Sequence, residues 1–468
     1  MGTLTSLMGL AQQALMANQA ALNVISNNVA NQNTPGYTRQ VVNLQQNDSV
    51  VIGNIIVGGG VNAGQAISQR DRILEQRVQQ QTQVQSQSQA LADALNQVQQ
   101  VFGLTSNSTS ATSTPLGSAL DSFFNAVSSL TANPADMATR QKVLSAATNL
   151  VSTFNSAAGQ MAGISQSLDK QVSGYVGTVN GLLSTIAQLN QKITTLSPNA
   201  DAGSLEDQRQ QAIAQLSQYV GLNQITNENN QITLTTTNGA VLVSGGQAYS
   251  MSTTSVSGTT HVMAGVPPAD VTASLAGGSL GGVLQVRDQI LPQYQSALDT
   301  LAYQIGTQVN QINAQGLDAN GNPGQAIFQV PASANGAANL IAMATSDPKA
   351  VAAAAVGEGA TGSGNALLLA GLATGTTFSG QSPSGFLVNL LGQVGNAAAA
   401  ATTDNTTQQT LLSQLTSQRN ALSGVSLDEE AANLTKYQRA YQAAAKIFSI
   451  TDELMASALN LGVSTAFS

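Results

Sequence analysis

Apolar residues at alternating steps of four and three mark both ends of this 468-residue chain. Leu4, Met8, Ala11, Leu15, Asn18, Leu22, Ile25 and Val29 fall on one helical line, the heptad spacing that lets one helix lie along another with side chains seated in holes. Leu7, Leu10 and Val24 widen the apolar face, so more than one neighbour is expected. Asn18 is the polar member, and a lone Asn in such a seam fixes register. The helix must stop by Thr34-Pro35-Gly36-Tyr37, where Pro35 presets a turn and Gly36 supplies a positive φ. At the other end, Ser426 and Glu429 have the spacing of a capping box, and Asp428, Glu429 and Glu430 suit the positive end of a helix dipole. Beyond them Leu434, Tyr437, Tyr441, Ala444, Phe448, Met455 and Ala458 keep heptad steps, interrupted by polar Thr451. Ile447, Ile450, Leu454 and Leu461 form an adjoining stripe. A chain with such a helix at each end is expected to fold back and pair them.

Composition narrows the function classes. Charged residues make up 8 % of the chain, against roughly 25 % in a typical soluble domain, so few charges keep copies apart and self-association is easy. The net charge of −8, with no basic run, argues against nucleic acid. The absence of cysteine excludes disulfides and thiolate metal sites. No apolar stretch reaches the ~18–20 residues needed to span a bilayer, so no membrane insertion is expected. The first positive charge is Arg39, too late for a cleavable signal, and the opening Met1-Gly2-Thr3-Leu4-Thr5-Ser6 meets only a permissive lipidation pattern.

The pattern predicts a mainly α fold with a β-rich insertion: paired N- and C-terminal coiled-coil helices, a helical rod domain and a central β-containing domain. Residues 1–62 read as the N-terminal axial helix and connector, and 63–220 as the first part of the rod. That part holds a long Gln-rich helix from Ile67 to Phe102, a Ser/Thr/Asn loop from Thr105 to Thr114, and helices over Leu116–Leu196 and Glu206–Tyr219. Asn133 and Pro134 suit an N-cap and first helical residue. Residues 221–276 turn to short Thr/Val/Ile segments broken by Asn-Gly and Gly-Gly, read as hairpins with Asn238-Gly239 the clearest turn. Residues 277–316 are helical. Residues 317–362 are Gly/Ala-rich and partly β, with a helix start at Asp347-Pro348. Residues 363–424 are the returning part of the rod, and 425–468 the C-terminal axial helix.

Motifs with possible chemistry do not stand up. Gly357-Glu358-Gly359-Ala360-Thr361-Gly362 has the dinucleotide-binding glycine pattern, but the preceding run Val351–Val356 reads as helix where a strand is required. No acidic residue follows at ~20 residues for a ribose hydroxyl. Asp318, Asn320 and Asn322 mimic an EF-hand opening, but Pro323 replaces the needed Gly and Gln329 the needed Glu. His261, the only histidine, reads as a solvated loop residue. The carboxylates Glu206/Asp207 and Asp428/Glu429/Glu430 sit at helix starts, where dipole and capping explain them. No catalytic residue, cofactor or metal is expected.

The run Ala21–Gln40, ALNVISNNVANQNTPGYTRQ, closely resembles the N-terminal motif shared by flagellar rod, hook and hook-associated proteins. The C-terminal segments Leu427–Leu434, LDEEAANL, and Tyr437–Lys446, YQRAYQAAAK, resemble their C-terminal motif, in the form that suits hook-associated members. Inner segments support this: Phe123-Phe124-Asn125 with Asn133-Pro134-Ala135-Asp136 and Arg140, Leu205–Arg209, Asn238–Ser244, and Gly277–Gly282 with Arg287-Asp288. The resemblance implies a structural, non-enzymatic subunit joining hook to filament, exported through the flagellum's own channel to an extracellular position. Implied partners are copies of itself, hook protein, the second hook-associated protein and an export chaperone near the C-terminus. Subunit assembly is expected to fall on Leu4, Met8, Leu15, Asn18, Leu22, Ile25, Val29, Leu434, Tyr437, Tyr441, Ile447, Ile450, Leu454 and Leu461. The alternatives are a hook or distal-rod subunit and, from another class, a secreted glycan hydrolase, which 4 % aromatics and no Trp disfavour.

Overall fold

The computed structural model describes residues 2–34, 36–52, 55–104, 114–196, 203–227, 230–359, 361–378 and 380–464, and the chain is 65 % helical with several small antiparallel sheets. Pro35 and all of the expected 105–114 loop but Thr114 lie outside the described residues.

Helix α1 (Gly2–Ala30) ends in a turn closed by Tyr37 N donating to Thr34 O at 3.1 Å, with Gly36 at φ +81°. The chain then forms a narrow antiparallel ribbon: Gln40–Val41 pairs with Ile67–Ser68, Leu44–Gln46 with Val61–Ala63, and Val50–Ile52 with Ile55–Val57. The ribbon extends the connector past residue 62 and takes up Ile67 and Ser68. The Gln-rich helix α2 therefore spans Arg72–Val101 instead of starting at Ile67. Asp71 caps it, accepting from Ile73 N and Leu74 N at 3.0 Å each.

Helices α3 (Pro115–Ala132) and α4 (Met137–Leu196) form an antiparallel hairpin. At ~1.5 Å per residue α4 is about 90 Å long and is the spine of the body. Its cap is Asp136, which accepts from Ala138 N and Thr139 N at 3.1 Å each, while Asn133 and Pro134 fall in the connection. Helix α5 (Ser204–Tyr219) leads into a meander, Leu222–Thr226, Ile232–Thr236, Val241–Ser244 and Gln247–Ala248, followed by strands Ser252–Val256, Thr259–Ala264 and Ala269–Asp270. Both sheets lie on α4, where side-chain amides finish their edges: Asn180 donates to Met251 O at 2.8 Å, and buried Asn190 to Ile232 O (2.8 Å) and Gly245 O (2.9 Å).

Helix α6 (Gly278–Gln285) continues through one π turn, Val286–Ile290, into α7 (Leu291–Gln315). The glycines that open α6 have a packing reason. A Cβ on Gly278 would strike the Tyr219–Val220 backbone, and one on Gly282 the carbonyl of Gln87 on α2. The following segment pairs Phe328–Gln329 with Ala342–Met343 around short α8 (Ala337–Leu340). Phe123 of α3 packs on Phe124 (5.3 Å between centroids) and Phe328 (5.9 Å), tying this segment to the hairpin.

Two sequence readings are corrected here. Asp347-Pro348 starts only a three-residue 3-10 turn, and Val351–Ala354 is buried non-helical backbone. The reason is that amides of neighbouring helices replace helical hydrogen bonds. Asn313 accepts from Ala352 N (2.8 Å) and donates to Ala350 O (3.0 Å), and Asn365 donates to Ala352 O (2.9 Å). After α9 (Gly364–Gly371), α10 (Pro383–Ser423) returns along α2 through amide pairs such as Gln81–Gln408 (2.8 Å) and Gln85–Asn405 (3.2 Å). Helix α11 (Leu427–Ser464) then lies along α1. Among the described residues, no helix is long and apolar enough to cross a membrane.

Candidate functional site

The two ends run antiparallel, the end of α1 beside the start of α11. Ala11, Ala17, Ala21, Ile25 and Asn28 of α1 are buried, as are Glu430, Ala444 and Thr451 of α11. Small residues at the centre let the helices approach closely. Tyr437, Phe448, Met455 and Ala458 are half-buried in the same seam. The expected assembly set divides. Ile25 is used inside the pair; Leu4, Met8, Leu15, Asn18, Leu22 and Tyr437 are half-buried; the side chain of Leu461 lies outside the described residues. Val29, Leu434, Tyr441, Ile447, Ile450 and Leu454 are exposed. At ~100° per residue, Ile447, Ile450 and Leu454 fall on one flank of the α11 seam, and Leu434, Tyr441 and exposed Leu459 on the other. Two largely apolar flanks are thus exposed, with Lys436 on the first and Asp452 on the second.

Among the described residues, Asn18 bonds its own helix, donating to Ala14 O at 2.8 Å. The amide that crosses between the ends is Asn28. It donates to Glu430 Oε2 (3.2 Å) and Gln40 O (2.8 Å), and accepts from Tyr37 Oη (2.9 Å) and Gln40 N (3.0 Å). Glu430, 1 % exposed, also accepts from Arg39 Nε at 2.7 Å, while Arg39 Nη1 reaches Glu429 at 2.7 Å. The carboxylate of Glu429 is thus engaged by Arg39, and the acidic start of α11 is a recognition surface for the N-terminal turn rather than dipole decoration.

The same holds for Glu206 and Asp207. Arg70, at the foot of the ribbon, pairs with Glu75 (3.3 Å), Glu206 (3.2 Å) and Asp207. Asp207 Oδ2 accepts from Thr38 N (3.3 Å), and Arg419 near the end of α10 reaches Glu75 (3.4 Å). Backbone bonds complete the knot: Arg39 N donates to Ser423 O (2.9 Å) and Gln69 N to Arg39 O (2.8 Å). Among the described residues, six of the nine ion pairs meet here. Most ion pairs of the described residues are thus gathered near the junction of the paired ends with the body.

Burial shapes their titration. It pushes the Tyr37 hydroxyl up to about 12, helped by the negative charges of Asp207 and Glu430, so Tyr37 stays a donor to Asn28. Burial also raises the carboxyls of Asp207, against Arg70, and of Glu75, against Arg70 and Arg419.

The other candidates take ordinary places. His261 lies on a strand, not in a loop, with Nδ1 2.7 Å from Asp270 Oδ2, beside a cavity of about 780 Å³. Glu358 Oε2 fills the glycine loop, accepting from Ala355 N (2.9 Å) and Gly364 N (2.8 Å) where a phosphate would need to sit. Asp318 Oδ1 closes a turn on Asn320 N (2.7 Å) and Asn322 N (2.9 Å). Among the described residues no group of three His, Cys, Asp or Glu could hold a metal.

Comparison with known proteins follows the same division of the chain. A family model described as the flagellar hook-associated protein FlgK helical domain matches residues 103–328. Models for the flagella basal body rod protein and the flagellar basal body rod FlgEFG protein C-terminal match residues 8–38 and 417–461. The chain is 29 % identical to flagellar hook-associated protein 1 of Bacillus subtilis over 504 positions, covering 97 % of this chain and 98 % of that protein. It is 25 % identical to the protein of that name in Escherichia coli over 558 positions, covering 98 % and 100 %, so that relative carries segments this chain lacks. The solved structure of the flagellar hook junction protein FlgK from Burkholderia pseudomallei shares the fold, with a TM-score of 0.67 at 18 % identity, covering 74 % of this chain and all of that one.

Proposed function

Since this chain belongs to the flagellar hook-associated protein 1 family, we propose that it works as a structural subunit whose paired terminal helices bind neighbouring copies. It is a component of the bacterial flagellum, of the kind that joins hook to filament. The observation that carries the assembly reading is the α1–α11 pair: satisfied along one narrow seam, apolar and exposed on both flanks, tied end to end by the Arg39–Glu430 ion pair and joined to the body by hydrogen bonds from Thr38 N to Asp207 and Arg39 N to Ser423. Neighbours on both flanks would close a ring of such pairs, with the bodies outward.

The finer reading places the chain between hook protein and the second hook-associated protein, outside the cell, after export through the flagellum's own channel without a cleaved signal. An export chaperone would cover the apolar stripes of α11 until assembly. The role is mechanical, with no reaction catalysed. A strain lacking this chain should build hooks and release unpolymerised flagellin into the medium. Attached filaments in that strain would overturn the junction reading.

A further inference from the structure

Asn-Gly steps occur at Asn180, Asn238, Asn320 and Asn335. With no Cβ on the second residue, its backbone nitrogen can approach the preceding side-chain amide carbon closely, so each step is a reactive pair. The fold treats the four differently. Asn180 sits within α4 with both ends of its amide engaged, donating to Met251 O and accepting from Met251 N at 2.8 Å each. Asn238 donates to Ser274 Oγ at 2.6 Å and accepts from Thr236 Oγ1, while Gly239 N donates to Thr236 O at 2.9 Å. The Asn335 amide makes no hydrogen bond among the described residues, but Gly336 N donates to the Asp299 carboxylate at 2.8 Å. A negative charge there opposes removal of the proton that the nitrogen must lose before it can attack.

Asn320 is held least. It and Gly321 are exposed, and its amide makes no hydrogen bond among the described residues. Gly321, at φ +79°, donates to a neutral carbonyl, Asp318 O, at 3.1 Å, longer than the bonds at Gly239 and Gly336. Open space surrounds its Cα, so the turn has room to rearrange. We propose that Asn320–Gly321 is a site of spontaneous succinimide formation, and so of deamidation, in the folded chain. The Gly321 N–H proton passes to hydroxide and the nitrogen attacks Asn320 Cγ. The N–Cγ bond forms, Cγ–Nδ2 breaks, and the leaving nitrogen takes a proton from water to depart as ammonia. Water then opens the ring at either carbonyl, giving Asp or isoaspartate with no change in oxidation state. Either product sets a second carboxylate beside Asp318, whose Oδ1 accepts from Asn320 N (2.7 Å) and Asn322 N (2.9 Å). The site is independent of the assembly reading.

The test incubates the full chain in mildly alkaline buffer below its melting transition and digests samples at mildly acidic pH. The four Asn-Gly peptides are followed by mass, and isoaspartate by isoaspartyl methyltransferase labelling. The Asn320 peptide should deamidate about tenfold faster than the other three, the rate equivalent of one net hydrogen bond. In urea, where the fold no longer separates them, the four rates should converge. Asp299→Ala removes the acceptor of Gly336 N and should bring the Asn335 rate toward that of Asn320. Equal rates at Asn320 and Asn335 in the parent chain overturn the proposal, as does an Asn320 peptide slowed by folding as strongly as the Asn238 peptide. An Asn335 rate unchanged in Asp299→Ala overturns it too, because the nitrogen's partner would then not decide the rate.

Discussion

Arg39 donates its Nε to a buried oxygen of Glu430, 391 positions later in the chain, at 2.7 Å. This bond joins the turn after the first helix to the start of the last one, so neither end can take its place without the other. Removing one partner of a buried ion pair costs ~3–5 kcal/mol, because the other charge stays buried and unpaired.

Arg39→Ala should therefore free the paired ends while leaving the body intact. Limited proteolysis should cut faster near residues 31–39 and 424–430, with the main melting transition retained. The α1–α11 seam is narrow, so the ends are the protease-sensitive part even in the unaltered monomer. Ends in Arg39→Ala that resist protease as well as the parent would show that the bond does not anchor them.

Ile25→Asp and Leu454→Asp should fail in different ways. Ile25 is buried between the ends, where an unpaired carboxylate costs several kcal/mol or is forced to protonate; the pair should come apart in the monomer. Leu454 is exposed, so its change should move monomer stability by less than about 0.5 kcal/mol and still abolish swimming. Secreted flagellin should appear as monomer in both strains. Circular dichroism of the purified variants distinguishes them: helix content falls for Ile25→Asp and holds for Leu454→Asp.

The ion-pair knot has a pH signature. The Asp207 and Glu75 carboxyls are raised in the folded chain above their ordinary 3.8 and 4.5. A raised carboxyl contributes stability that is fully present below its unfolded value and lost as pH rises through its folded value. Urea midpoints should thus climb as pH falls from neutral toward about 4, and the climb should shrink in Asp207→Asn. A midpoint that falls over that range, with no difference in the variant, contradicts the burial argument.

His261→Ala should leave swimming intact. Its Asp270 partner is held down to about 2 chiefly by hydrogen bonds from Thr272, with His261 a lesser contributor. Loss of motility with normal export and an unchanged melting curve would give His261 a role that its place on the strand does not suggest.

Much of this was legible in advance where one face repeats. The heptad lines of Leu4–Val29 and Leu434–Ala458 locate both end helices, and Asn238-Gly239 locates its turn. Features set by distant partners were not legible. The ribbon over Gln40–Ser68 uses strands of two or three residues, too short for alternation to register. Val351–Ala354 looks helical by composition, and its backbone groups are taken instead by distant partners: the amides of Asn313 and Asn365, the Arg140 guanidinium, and the N–H groups of Leu317 and Ala366. Glu206, Asp207 and Glu430 have the positions of helix-start carboxylates; that they are buried against Arg70 and Arg39 depends on the chain folding back on itself. Asn28, the amide that crosses between the ends, lies one step off the heptad line that singles out Asn18.

The proposed assembly surface can be read at a single atom, because the chain has no cysteine of its own. Leu454→Cys places one thiol on a side chain that is 51 % exposed in the subunit. Labelling with a maleimide should be complete on the secreted monomer and blocked in intact flagella, where a neighbour's helices cover that flank. Equal labelling of monomer and intact flagella would contradict assembly through the paired ends.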